Sequence, residues 1–132
     1  MFPVRDPGDG APGFGMFRVG VVDAGFGMNI LLDECVPWPL RRRLAGHTCA
    51  TPQQRGWRGI QNGDLIRLAE GEFDLFITAD QNIRYQQNLA SRHIPILELS
   101  TNDVHRLEAA TALIQTAVAA MRPGDFRILE IP

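Results

Sequence analysis

Lysine is absent from the 132-residue chain; all 13 basic residues are arginine. That usage reads first as codon bias and second as a preference for side chains that grip phosphate with two hydrogen bonds. Cysteine is scarce as well. Cys35 and Cys49 form no CxxC pair and have no histidine at zinc spacing, so a stapled secreted domain or a zinc module is not the expectation. No apolar run approaches the length needed to cross a bilayer, and the N-terminus lacks the basic-then-apolar order of a signal peptide. A cytoplasmic protein with no membrane partner is therefore expected. Net charge is small, at -2, so the overall electrostatics do not advertise nucleic-acid affinity and any such contact has to be local. With 45% hydrophobic and 21% charged residues, the chain fits one globular domain able to fold without disulfides or a structural metal.

Residues 1–27 hold 7 of the 13 glycines and 3 of the 9 prolines, too little apolar surface to fold alone, and read as a flexible extension. The folded domain is expected over 28–132. Val19 to Gly27 contains an apolar run followed by GxG, but a strand and not a helix follows, so no helix N-terminus is left for a pyrophosphate. From Ile30 onward, apolar runs alternate with segments of helical period, which predicts βαβ units around a mainly parallel sheet of five strands. The strands are expected at Ile30–Leu32, His47–Ala50, Asp74–Thr78, Ile94–Leu99 and Phe126–Ile131. Helices are expected at Pro39–Ala45, Asp64–Glu70 and Asn82–Ala90, with a long one running from Val104 to Met121 and ended by Pro123 and Gly124.

Ligands of open parallel sheets sit outside the carboxyl ends of the strands. Acids fall there in this sequence: Asp33 and Glu34 after the first strand, Asp80 after the third, Asp103 after the fourth, and Asp64 in the first turn of the helix that starts from the same edge. Clustered carboxylates repel one another unless a divalent cation accepts them as hard oxygen ligands, so a Mg²⁺ or Mn²⁺ site is expected. Such an ion suits hydrolysis at phosphorus. The simpler alternatives are structural. Asp64 and Asn62 can cap a helix, Ser100 and Asp103 fit a capping box, and Asp80 with Asn82 can form an Asx turn.

Arg55, Arg58 and Arg84 are candidates for phosphate contacts, and Trp57 for stacking of a base. Arg41, Arg42 and Arg43 spread around a helix and read as a solvated face. His47, His93 and His105 have no partner at a spacing that would suggest zinc or nucleophilic catalysis, and Cys35 reads as a small buried residue.

Several blocks together resemble the short, single-domain bacterial branch of the PIN-like nucleases, related to VapC-type toxins. They are Asn29–Glu34, Gly56-Trp57 with Asn62–Ile66, Phe73–Asn82 and Gln86–Leu89, and the likeness spans Met28 to Pro132. The resemblance implies a three-layer α/β/α sandwich and a metal-dependent ribonuclease site. By the same resemblance Asp33, Asp64 and Asp80 are the catalytic and metal-binding acids; Glu34 and Asp103, which no motif of the family matches, are further candidate ligands from their place at the strand ends. Two departures stand out: no glutamate matches the helical acid of longer PIN domains, and Cys35 stands where this branch usually has Asn. The implied partners are RNA, an antitoxin protein and a second copy in a homodimer. A catalytically degenerate module that binds RNA or an antitoxin without cutting is the main alternative, and a metal-dependent phosphatase a weaker one.

Overall fold

The computed structural model describes residues 27–83 and 92–132. Five strands appear in chain order as β1 (Asn29–Leu32), β2 (Thr48–Ala50), β3 (Leu75–Thr78), β4 (Ile96–Leu99) and β5 (Phe126–Leu129). They form one sheet in the order β2-β1-β3-β4-β5, and every neighbouring pair is parallel. The expected α/β class with a five-stranded sheet is therefore present, and the sheet is parallel throughout. Among the described residues no helix is long and apolar enough to cross a membrane.

β3 and β4 are buried at every position, as mainly apolar strands covered on both faces should be; Thr78 and Glu98 are the polar residues buried with them. Alternation assigns their side chains to two separate cores. Ile30, Leu32, Leu75, Ile77, Leu97 and Leu99 pack on one face with Leu40 and Leu44, and with Leu107, Ile114 and Val118. Leu31, Phe76 and Ile96 pack on the other with Leu65, Ile66 and Ala69 of helix α1 (Asn62–Glu70). Each face would expose several apolar side chains if its helices were removed, so the helical layers are part of what makes the sheet stable.

Two helices differ from the sequence expectation. The first, expected over Pro39–Ala45, is a 3₁₀ helix over Trp38–Arg43. Pro37 and Pro39 explain the difference: proline disfavours α geometry in the residue before it, and no side chain caps the start. Leu40 is the buried residue of this short segment, and Gly46, at φ 90°, turns the chain back towards β2. The long helix expected to end at Met121 is divided into α2 (Val104–Ala109) and α3 (Thr111–Ala120). At Ala110 the backbone leaves helical geometry (φ -99°, ψ 21°), and the Thr111 hydroxyl donates to the Glu108 carbonyl at 2.6 Å. Leu107, Ala110, Ile114 and Val118 are all buried, so the apolar spacing runs through the break. The helix expected over Asn82–Ala90 falls almost entirely outside the described residues.

The strand order fixes where a site can form. The chain leaves β1 towards β2 and leaves β3 towards β4, on opposite sides, so the connections diverge and open a crevice above the carboxyl ends of β1 and β3.

Candidate functional site

The tips of β1 and β3 are joined by a small polar network. The Asp33 amide continues the strand ladder by donating to the Ile77 carbonyl at 2.9 Å, which sets the Asp33 carboxylate beside Thr78. The fully buried Thr78 hydroxyl donates to Asp33 Oδ2 at 2.8 Å and accepts from the Asp80 amide at 3.0 Å. Asp33 Oδ1 accepts from the Glu34 amide at 2.8 Å. Asp80 Oδ1 accepts from the Asn82 amide at 2.9 Å, the Asx turn that the residue types allow. These bonds orient both carboxylates without exhausting them, because each oxygen carries two lone pairs.

Cys35 belongs to the same network. Its thiol lies 3.6 Å from both Asp33 Oδ2 and Thr78 Oγ1, and its sulfur accepts from the Ala79 amide at 3.3 Å. Burial pushes the thiol pKa up, and the neighbouring Asp33 charge pushes it further. Cys35 is thus a neutral donor towards the carboxylate and not a thiolate nucleophile.

A cleft of about 450 Å³ opens on this network. Asp33, Glu34, Cys35 and Asp80 line it, together with Trp57, Gln61 and Leu65. Trp57 is carried by a loop that turns at Gly56 (φ 78°) and Gly59 (φ 84°), conformations open to glycine at little cost. Its ring meets Phe73 edge to face at 6.0 Å between centroids, so the indole is anchored in the core while it walls the cleft.

The other candidate residues lie elsewhere. Asp64, in the first turn of α1, is 68% exposed, pairs with Arg67 and is not among the residues that line the cleft. Asp103 caps α2, accepting from the amides of His105 at 2.9 Å and Arg106 at 3.1 Å, and those bonds hold its carboxyl below the usual range. Arg55 pairs with Glu72 and lies 5.4 Å from the Trp57 ring and 5.9 Å from the Phe73 ring, so its guanidinium supports the loop. Arg58 lines a neighbouring cleft together with Glu34. Arg84 lies outside the described residues. Among the described residues no group of three or more His, Cys, Asp and Glu side chains is arranged to hold a metal ion. Of the three principal acids, the structure brings Asp33 and Asp80 to one cleft and leaves Asp64 outside it.

Thr78 and Cys35 were not legible as site residues from the sequence, nor was the burial of Glu98 beside Thr78 in the sheet. Glu98 is fully buried in β4, opposite Thr78 in the strand register. An acid inside the apolar run Ile96-Leu97-Glu98-Leu99 is the signal that could have marked it.

No family model, no curated protein and no solved structure matches the chain. What stands is an α/β protein built on an all-parallel five-stranded sheet, with a carboxylate-lined cleft at its switch point.

Proposed function

We propose that the chain is a Mg²⁺- or Mn²⁺-dependent endoribonuclease of PIN-like type, acting as the toxin of a toxin–antitoxin pair. The observation that carries this reading is the meeting of Asp33 and Asp80, 47 positions apart in the chain, on one cleft at the carboxyl edge of β1 and β3. Two carboxylates are a sufficient protein contribution for a hard divalent cation, which keeps several waters and completes its shell with phosphate oxygens. When bound, such an ion makes water a stronger nucleophile near neutral pH and offsets charge developing on phosphoryl oxygens. The chain itself contributes orientation: Thr78 sets Asp33 and the Asp80 backbone in one frame, while Trp57 and Leu65 add apolar surface to the lining of the same cleft. Glu34, exposed and lining the same cleft, is the further carboxylate that would add to Asp33 and Asp80 in holding the ion.

Asp80→Asn tests the reading. Metal-stimulated cleavage of RNA should be abolished, while the melting temperature stays unchanged or rises because repulsion with Asp33 is reduced. Undiminished cleavage in this variant would overturn the assignment.

One observation favours a second reading. Asp64 is engaged by Arg67 and the described residues offer no three-ligand group, as in a module that binds RNA or an antitoxin without cutting. Calorimetric titration with Mn²⁺ separates the two, since the binding module takes up no metal saturably.

A further inference from the structure

A second cleft, of about 770 Å³, opens beside the first, and Glu34 contributes to the walls of both. Its size falls within the range of small-molecule pockets, about 300–1,000 Å³. Trp38 lies on one side, at the start of the 3₁₀ helix, with Gln53, Gln54 and Arg58 on the loop between β2 and α1.

The Trp38 indole is a fixed platform. It packs against the first core, and the Arg41 guanidinium lies over its ring 4.6 Å from the centroid while donating to the Trp38 carbonyl at 3.2 Å. Gln54 is fixed too: its Oε1 accepts from the Thr51 amide at 3.1 Å, and its own amide donates to the Thr51 hydroxyl at 3.2 Å. Gln53 and Arg58 are exposed at the same cleft. The cleft thus combines an indole that Arg41 covers on one face, the Gln53 carboxamide, which can both donate and accept, and the Arg58 guanidinium. A nucleotide presents the complement of each: a planar base to stack, polar base edges to bond, and a phosphate.

We propose that the cleft is a nucleobase subsite. It holds the base of a ribonucleotide next to the scissile phosphate, with Trp38 as stacking surface, Gln53 reading the base edge and Arg58 holding a phosphate. This assignment rests on the ribonuclease reading, because the shared Glu34 wall puts an occupant of this cleft next to Asp33 and Asp80.

The chain has 2 tryptophans, so Trp57→Phe leaves Trp38 as its sole indole reporter. Full-length protein carrying that change is titrated in EDTA with each ribonucleoside monophosphate and with ribose phosphate, which lacks a base. Metal and cleavage then play no part in the signal. The expected result is saturable quenching by at least one nucleotide and none by ribose phosphate. Gln53→Ala and Arg58→Ala, both at exposed positions, should each weaken that binding by about three- to tenfold. Non-saturating quenching by every nucleotide, or an equal response to ribose phosphate, would overturn the subsite. RNA cleavage without saturable quenching removes the subsite and keeps the nuclease. Saturable quenching without cleavage supports the subsite and removes the nuclease.

Discussion

The Thr78 hydroxyl holds Asp33 and the Asp80 backbone at once, donating 2.8 Å to the first and accepting 3.0 Å from the second. One fully buried oxygen therefore couples the ends of two strands that the chain reaches separately. Thr78→Val keeps the shape of the side chain and removes both bonds. Its unfolding free energy in urea should fall by about 1–3 kcal/mol, with Thr78→Ser recovering part of the loss. Equal stability of the valine variant and the parent would show that the hydroxyl does not hold these strands together.

Asp64 and Asp80 should separate in metal binding. Because Asp64 is 68% exposed and paired with Arg67, Asp64→Asn is expected to leave Mn²⁺ affinity within about threefold of the parent. Asp80→Asn should reduce it by at least about tenfold, as loss of one of two charged ligands implies. Calorimetry on the two variants decides the point; an equal loss in both would mean that Asp64 turns from Arg67 to the ion.

His47 gives the fold a dependence on pH. The Met28 amide donates to His47 Nδ1 at 2.9 Å, a bond that requires this nitrogen to be unprotonated, and burial lowers the ring pKa from 6.5. The unfolded chain therefore takes up a proton at higher pH than the folded one. The contribution is present above about pH 6.5 and is lost as pH falls through that value towards the lowered folded pKa. Urea unfolding at pH 7.5 and 5.5 should show the parent losing more stability than His47→Gln, and identical losses would count against it.

Asp103 works with the opposite sign. Bonds from the Arg106 and His105 amides lower its pKa, so its contribution is present above the ordinary value of 3.8 and is lost as pH falls below it. Asp103→Ala should unfold at lower urea concentration than the parent at pH 7, and the two curves should converge near pH 3. A gap that persists in acid would argue that the carboxylate is not the source of the cap.

The sequence made the sheet readable because Leu75–Ile77 is an unbroken apolar run and Ile94–Leu99 is apolar but for Glu98, the mark of strands covered on both faces. The break at Ala110 was not readable: Leu107, Ala110, Ile114 and Val118 keep helical spacing across it, and no glycine or proline marks the interruption. The acids after β1 and β3 were visible from their place at the strand ends, but the capping box read from Ser100 and Asp103 did not form: Asp103 is itself the N-cap of α2, and the Ser100 hydroxyl accepts from the Ile131 amide. The side-chain direction of Asp64 was not, because it is set by Arg67 one turn later on the exposed face of α1, and pairing between exposed helical neighbours leaves no pattern that separates a cap from a ligand. Thr78 lies in the Phe73–Asn82 block, but its double hydrogen bond depends on the register between β1 and β3, which is a tertiary property.

An all-parallel sheet contains no hairpin, so no strand pair can zip up from a tight turn. The innermost pair, β1 with β3, joins segments 45 positions apart, as between Asn29 and Asp74, and its closure has to precede the reward of the pairing. Assembly of the crevice is thereby tied to a long-range step: the carboxylates of Asp33 and Asp80 meet only once that loop has closed, and a chain still being synthesised carries no finished cleft until β3 and Asp80 have emerged.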